Sequence, residues 1–290
     1  MEQARCLCDV KAVLGEGPIW SARDNAVYWV DIKRPAVHRY QLSDSTQSSW
    51  PMPEYIGWLI ERRTSGFIAG FRSGFAKLTL EPMSIEPIGA PEPNLPGNRM
   101  NDAKADAQGR IWAGTMDDAE IEVCGSLYRL DPDLRWRSMD SGYHITNGPA
   151  LSADGTALYH TDSGKRSIYV FSLAADGTLH DKRPFIRFDD TQGYPDGMTV
   201  DAQGGLWVAH WGGSRVSRFH SDGHLDRSIA LPVSQITSCV FGGASLDRMF
   251  VTSASIGLNA EQLAREPLAG SLFEVDPQGS SGLPAAQFAG

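Results

Sequence analysis

The sequence of 290 residues has only four cysteines, Cys6, Cys8, Cys124 and Cys239. They are too few and too scattered for a disulfide framework, and the Cys6-x-Cys8 spacing fits neither a zinc knuckle nor a redox pair. No run of about 18 apolar residues exists to span a bilayer, so no membrane partner is expected. Positive charge is in deficit, with 26 Lys and Arg against 35 Asp and Glu and a net charge of -9. Nucleic acids and acidic membrane surfaces require a concentrated positive field, so neither is expected as a partner. The first residues, MEQARCLCDVKAVLGEGP, lack a long apolar core and a small-residue cleavage site, which predicts no signal peptide and a cytoplasmic location. Sustained helical periodicity over about 15 residues is also missing.

Catalytic signatures are equally sparse. There is no G-x-S-x-G nucleophile elbow, no H-E-x-x-H zinc helix and no G-x-x-x-x-G-K-[ST] phosphate loop, which argues against serine-triad, zinc-protease and nucleotide chemistry.

What recurs is a turn followed by an apolar strand: ARDNAVYWVD, RTSGFIAGF, DAQGRIWAGT, SADGTALYHT, DAQGGLWVAH and SLDRMFVTSA. Their turn residues Asn25, Gly66, Gly109, Gly155, Gly204 and Asp247 are spaced by 41, 43, 46, 49 and 43 residues. Each unit continues into another short strand (AVHRYQL, GFAKLTL, SLYRLD, SIYVFSL, RVSRFH, SLFEVD), and several into a fourth, more polar one such as LRWRSMD. Four strands at this period predict an all-β fold, a six-bladed β-propeller. The sequence ends soon after the third strand of its last unit and begins with a spare strand-like ARCLCDVKA. That predicts one domain over residues 1–290, with the N-terminal strand closing the last blade and removing exposed sheet edges.

One phase of the repeat is chemically distinctive. Asp196, Asn147 and Asn101 each lie 8 residues before the turn glycine, and Glu16 lies 9 before Asn25. Asn and Asp beside Gly or Pro are ordinary turn formers, so any one of them alone reads as structural. Equivalent positions on successive blades converge on the propeller axis, however, so shared phase becomes proximity. Two carboxylates and two amides together call for a cation. Oxygen ligation suits hard divalent ions, and Zn²⁺ also accepts it. At the same phase, YIGW of the second repeat and ITSC of the sixth are expected to supply an aromatic wall and small polar groups. His144, His160 and His210 are read as polar lining, and Trp20, Trp29, Trp112, Trp207 and Trp211 mainly as packing between blades.

The motifs LGEGPIW, NRMNDAKADAQGRIWAGTM, ITNGPALSADGTALYHTDS, YPDGMTVDAQGGLWVAHWGG and TSCVFGG resemble the gluconolactonase/regucalcin (senescence marker protein) family across essentially the whole chain. The likeness extends to bacterial sugar lactonases such as xylonolactonases. It implies a six-bladed propeller with a central metal site holding one divalent cation, Ca, Zn, Mn, Mg or Fe. By motif, Glu16, Asn147 and Asp196 match the family's metal ligands. Asn101 matches a residue at metal and substrate, and Arg99 matches a substrate-binding arginine. Some members place a substrate-contacting Glu soon after GTM; here the stretch is GTMDDAEIEV, and Asp118, Glu120 or Asp117 is the counterpart.

A lactone is a cyclic ester, and a divalent ion can polarise its carbonyl and acidify a water. The expectation is therefore metal-dependent hydrolysis of a sugar lactone, a small-molecule partner, to its aldonic acid. Asp196 is the candidate catalytic base, with ion-activated water as the alternative, since a carboxylate on a metal is a weaker base. Arg99 offers a planar donor fork and Asn101 a donor and an acceptor for sugar hydroxyls. Arg62, Arg63, Arg72 and Arg166 leave open a lactone with an anionic group. A paraoxonase-like esterase or phosphotriesterase and a non-enzymatic calcium-binding scaffold are the competing readings. Monomer or homodimer is the default assembly.

Overall fold

The six turn-and-strand units form six antiparallel sheets of four strands each in a computed structural model that describes residues 4–290. The protein is an all-β, six-bladed propeller. The innermost strands are Gly15–Ser21, Ile56–Glu61, Asn98–Ala105, Thr146–Leu151, Tyr194–Val200 and Ile236–Gly242. They neighbour one another in a closed ring, the last packing against the first. The second strands, such as AVYWVD and FIAGF, are buried on both faces and read as nearly continuous apolar runs, while the buried innermost strands also carry polar residues, as in GEGPIWS and NRMNDAKA. The outermost strands, such as Gln47–Pro51 and Met83–Gly89, face water and are correspondingly polar.

The sixth sheet takes strands from both ends of the sequence. Ala4–Cys8 lies outermost, antiparallel to Leu272–Val275, with Arg5 opposite Glu274 and Cys6 opposite Phe273. Arg5 Nη2 donates to Glu274 Oε2 at 2.6 Å. On the face of the ring where the inner strands end, the C-terminal segment crosses between blades. Gly282 N donates to Leu246 O, Phe288 N to Glu61 O and Ala289 N to Gly109 O, and Phe288 is fully buried.

The DAQG turns show how the repeat sequence encodes its own geometry. Asp106 accepts from the backbone of Gln108 and Arg110 and from the indole of Trp112 at 2.9 Å. Asp201 does the same for Gln203, Gly205 and Trp207, the indole at 2.8 Å. Gly109 and Gly204 adopt φ of 81° and 79°, a conformation that favours glycine. In the sixth repeat the residue with positive φ is Leu246, one position before the Asp247 expected from the spacing. Trp207 meets Phe241 of the next blade edge-on at 6.0 Å, and Trp20 stacks on Phe250 across the closure between the first and last blades. The four cysteines are free. A six-residue helix, Ala260–Arg265, carries a capping box from Asn259 and Gln262. No helix among the described residues is long and apolar enough to cross a membrane.

Asp201 is buried and also holds Arg218, Nε to Oδ2 at 2.6 Å. Asp201→Ala takes the acceptor from the turn amides, the Trp207 indole and one side of the guanidinium, whose Nη1 stays on Asp226 at 2.9 Å, and is expected to cost about 2–3 kcal/mol. Urea denaturation reads this directly; a cost below about 1 kcal/mol would contradict the role of the aspartate in fixing the turn.

Candidate active site

All six inner strands share a defect near their leading ends, where pairing with the second strand slips. The slips fall between Glu16 and Ile19, Ile56 and Trp58, Met100 and Ala103, Asn147 and Ala150, Pro195 and Met198, and Ile236 and Ser238. A bulge bends the strand and re-aims a side chain. Glycine follows three of the candidate residues, at 17, 148 and 197. Gly17 and Gly148 have φ of 55° and 68°, and a Cβ on Gly197 would lie 2.2 Å from Ser238 Oγ. The tripeptides EGP, NGP and DGM thus sit at bulges within the inner strands, which aim their first side chain toward the axis.

The delivered residues meet in one cavity of about 570 Å³, whose walls include Glu16, Arg99, Asn101, Glu120, Asn147 and Asp196. A hydrogen-bonded chain runs along one side of it. Asn101 Nδ2 donates to Asn147 Oδ1 at 2.8 Å and to Thr146 O at 2.5 Å. Arg99 Nη1 donates to Asn101 Oδ1 at 2.5 Å, and Arg99 Nε to Asp118 Oδ1 at 2.7 Å. The same Asp118 oxygen accepts from Lys33 Nζ at 2.5 Å. On the other side of Asn147, its Nδ2 donates to Ser163 Oγ at 2.9 Å, and Ser163 Oγ donates to Pro195 O at 2.6 Å, beside Asp196. The network fixes the Asn147 amide with its oxygen, which keeps a second lone pair, on the side of Asn101.

The two axial carboxylates lack such support. Among the described residues, Asp196 Oδ1 is buried without a hydrogen-bond partner, and Glu16 Oε2 accepts only from its neighbour Gly17 N. Burial, then the charge of Asp102, pushes the Glu16 carboxyl up to about 8. Burial, then Glu16, then Asp102, holds the Asp196 carboxyl well above the ordinary aspartate range. Two carboxylates and the Asn147 amide oxygen form an oxygen donor set that matches a hard divalent cation, and a cation there would offset the charge that burial otherwise suppresses. The residues therefore fit the ion that the sequence implies.

The structure brings Glu16, Arg99, Asn101, Glu120, Asn147 and Asp196 to a common cavity. Asp118 sits behind Arg99 and Lys33, its Oδ1 occupied by both. Asn101 has spent both amide hydrogens inside the protein, so toward a ligand it can only accept. Glu120 has a φ of 58° and its carbonyl accepts from His144 Nε2 at 2.8 Å, which fixes the loop after Met116. The expected wall from the second repeat is absent from this cavity: Trp58 packs inward against Phe75. Aromatic lining comes instead from Tyr194 and Trp211 of the fifth blade, because the bulge turns Trp58 into the space between blades. Small polar groups from the sixth blade also point elsewhere, Thr237 Oγ1 donating to Gly15 O. His160 and His210 are buried within blades, and only His144 of the three lines the cavity. Arg62 and Arg63 reach the C-terminal segment, far along the inner strands from the bulges. Lys33, Ser163 and Gln235 were missed by phase, since none lies on a leading end of an inner strand.

A six-bladed propeller with bulged inner strands that present carboxylates and amides to an axial cavity defines the class of protein. The chain belongs to the SMP-30/gluconolactonase/LRE-like family, whose profile matches residues 14–255. L-arabinolactonase of Azospirillum brasilense is 35% identical over 292 residues, spanning 99% of this chain and 96% of that protein. 6-Deoxy-6-sulfogluconolactonase of Pseudomonas putida is 34% identical over 275 residues, 94% of each. Among solved structures, regucalcin of Agrobacterium tumefaciens, described as a calcium-binding protein, superposes with a TM-score of 0.93 at 26% identity. The match covers 98% of this chain and 97% of its own.

Because Asn101 and Asp118 hold the same guanidinium, their removals should not add. A double-mutant cycle on Asn101→Ala and Asp118→Ala is expected to give a coupling free energy of about 0.5–3 kcal/mol in denaturation experiments. Strict additivity would contradict the shared anchoring of Arg99.

Proposed function

We propose that this protein is a metal-dependent sugar lactonase that opens an aldonolactone to its aldonic acid, with the divalent cation held by Glu16, Asn147 and Asp196. The observation that carries the reading is the unpartnered, buried Asp196 Oδ1 in a cavity it shares with Glu16, Asn147 and a fixed arginine. The relatives named as lactonases over nearly the full chain support the reaction class, and the regucalcin likeness supports the ion.

When bound, such an ion polarises the lactone carbonyl and lowers the pKa of water at the site. Asp196 is the group placed to take a proton from the attacking water as its oxygen bonds to the carbonyl carbon. The ring C–O bond then breaks, and the same proton passes from Asp196 to the departing ring oxygen, which leaves as a hydroxyl of the aldonic acid. Arg99 Nη2 makes no hydrogen bond within the described protein, so it is free to donate to substrate oxygens. Its other two nitrogens are fixed by Asp118 and Asn101, and that limits the entropy lost on binding. Asn101 accepts from a substrate hydroxyl through the remaining lone pair of Oδ1. Tyr194, Trp211 and Ile256 line the cavity and suit the C–H face of a sugar ring.

The test follows acid release from aldonolactones and aryl esters with and without a chelator. Chelator-sensitive turnover of sugar lactones is expected, with aryl esters slow, and Asp196→Ala should lower kcat by at least about 10³-fold while circular dichroism keeps its β signature. Turnover of aryl esters over lactones would favour the esterase reading. Absence of any turnover would leave a binding scaffold, and near wild-type rates in Asp196→Ala would sink the assignment of that residue.

A further inference from the structure

The hydrogen-bonded chain from the axial ligands to the mouth ends on a residue that neither the repeat nor the family motif singles out. From Asn147 it passes through Asn101, Arg99 and Asp118 to Lys33. Lys33 comes from the turn after the first blade's second strand, Ala26–Asp31, and reaches past the second blade to Asp118 on the third. That turn is held firmly: Asp31 accepts from the backbone of Val13, Leu14 and Arg34. The Lys33 ammonium lies 4.8 Å from the centroid of the Tyr55 ring, and its side chain is only 18% exposed. It is an ordered cation on the cavity wall, with three donors of which Asp118 takes one.

Lys33 Nζ and Arg99 Nε bond to a single carboxylate oxygen, so the two cations are held side by side. Arg99 Nη2 and the remaining Lys33 hydrogens are then neighbouring donors with no hydrogen-bond partner among the described residues. Asp118 offsets one of the two positive charges, and Glu120 is exposed to water at the mouth, where its charge is screened. If the lactone carbonyl lies at the axial ligands, the donor pair meets the part of the substrate farthest from it. Apolar lining elsewhere in the cavity comes from Ile145, Trp211 and Ile256.

We propose that Lys33 is a specificity-determining residue that forms, with Arg99, a two-nitrogen fork for the exocyclic end of the lactone. This inference rests on the lactonase reading above. The fork matches two oxygens on neighbouring positions, either the vicinal diol of a hexono-1,4-lactone or two oxygens of a terminal oxyanion. A pentono-1,4-lactone, with one exocyclic hydroxyl, fills half of it. Arg62 and Arg63 take no part, since they serve the opposite face.

The experiment compares kcat/KM for a pentono-1,4-lactone, a hexono-1,4-lactone and a hexonolactone with a terminal sulfonate, in the wild-type protein, Lys33→Met and Lys33→Gln. Wild type is expected to favour at least one of the two-oxygen substrates over the pentonolactone by about tenfold, the worth of one good hydrogen bond. Lys33→Met should reduce that ratio by about tenfold, chiefly through KM. Lys33→Gln, which keeps a neutral donor, should retain preference for the diol and lose preference for the sulfonate, and so tells the two sources apart. Equal loss on all three lactones in Lys33→Met would overturn the proposal, because that is what a merely structural ion pair predicts. Wild-type turnover without discrimination would also overturn it while leaving the lactonase reading intact. No turnover of any lactone by wild type would sink both.

Discussion

Glu16 and Asp196 carry two carboxylates into the same cavity; burial raises the hold of both on their protons, and at Asp196 the charges of Glu16 and Asp102 add to it. Asp196 Oδ1 finds no donor among the described residues. Native structures rarely leave such an oxygen unpaired without a purpose. The arrangement makes sense as one half of a charge balance whose other half is a divalent cation. The same low-dielectric setting that makes unpaired carboxylates costly also strengthens an ion's pull on a carbonyl.

The rest of the site serves that arrangement by limiting motion. Bulges at the leading ends of the inner strands turn four side chains toward the axis, and adjacent glycines let the backbones pass closely enough for them to meet. From Asn147, one set of hydrogen bonds leads through Ser163 to the Asp196 turn, and another leads through Asn101 and Arg99 to Asp118 and Lys33. Four blades, the first, third, fourth and fifth, are tied into one wall. A displacement of Asn101 would be felt both at the axial donors and at the guanidinium, so binding and chemistry share a frame.

Much of this was legible in the sequence because a propeller translates sequence period into spatial equivalence. The DAQG turns repeat because each aspartate must hold its own turn and a tryptophan indole, which makes Asp106 and Asp201 visible markers of the period. Glu16, Asn101, Asn147 and Asp196 stood out by sharing a phase. Contacts between blades were not legible in that way. Asp118 looked like a substrate ligand in GTMDDAEIEV, but it faces Arg99 and a lysine 85 residues earlier, and nothing in the repeat fixes how far a lysine in a turn reaches. Trp58 failed as a wall for a related reason: phase places its backbone, while the local slip between Ile56 and Trp58 decides which way the ring goes.

The central claim is that one divalent cation sits between Glu16, Asn147 and Asp196. Anomalous diffraction from crystals grown with Mn²⁺ tests it most directly. The account predicts a single strong peak within about 2.0–2.6 Å of an oxygen from each of the three side chains. A fully loaded, active crystal with its peak elsewhere, or with no peak on the axis, would contradict it.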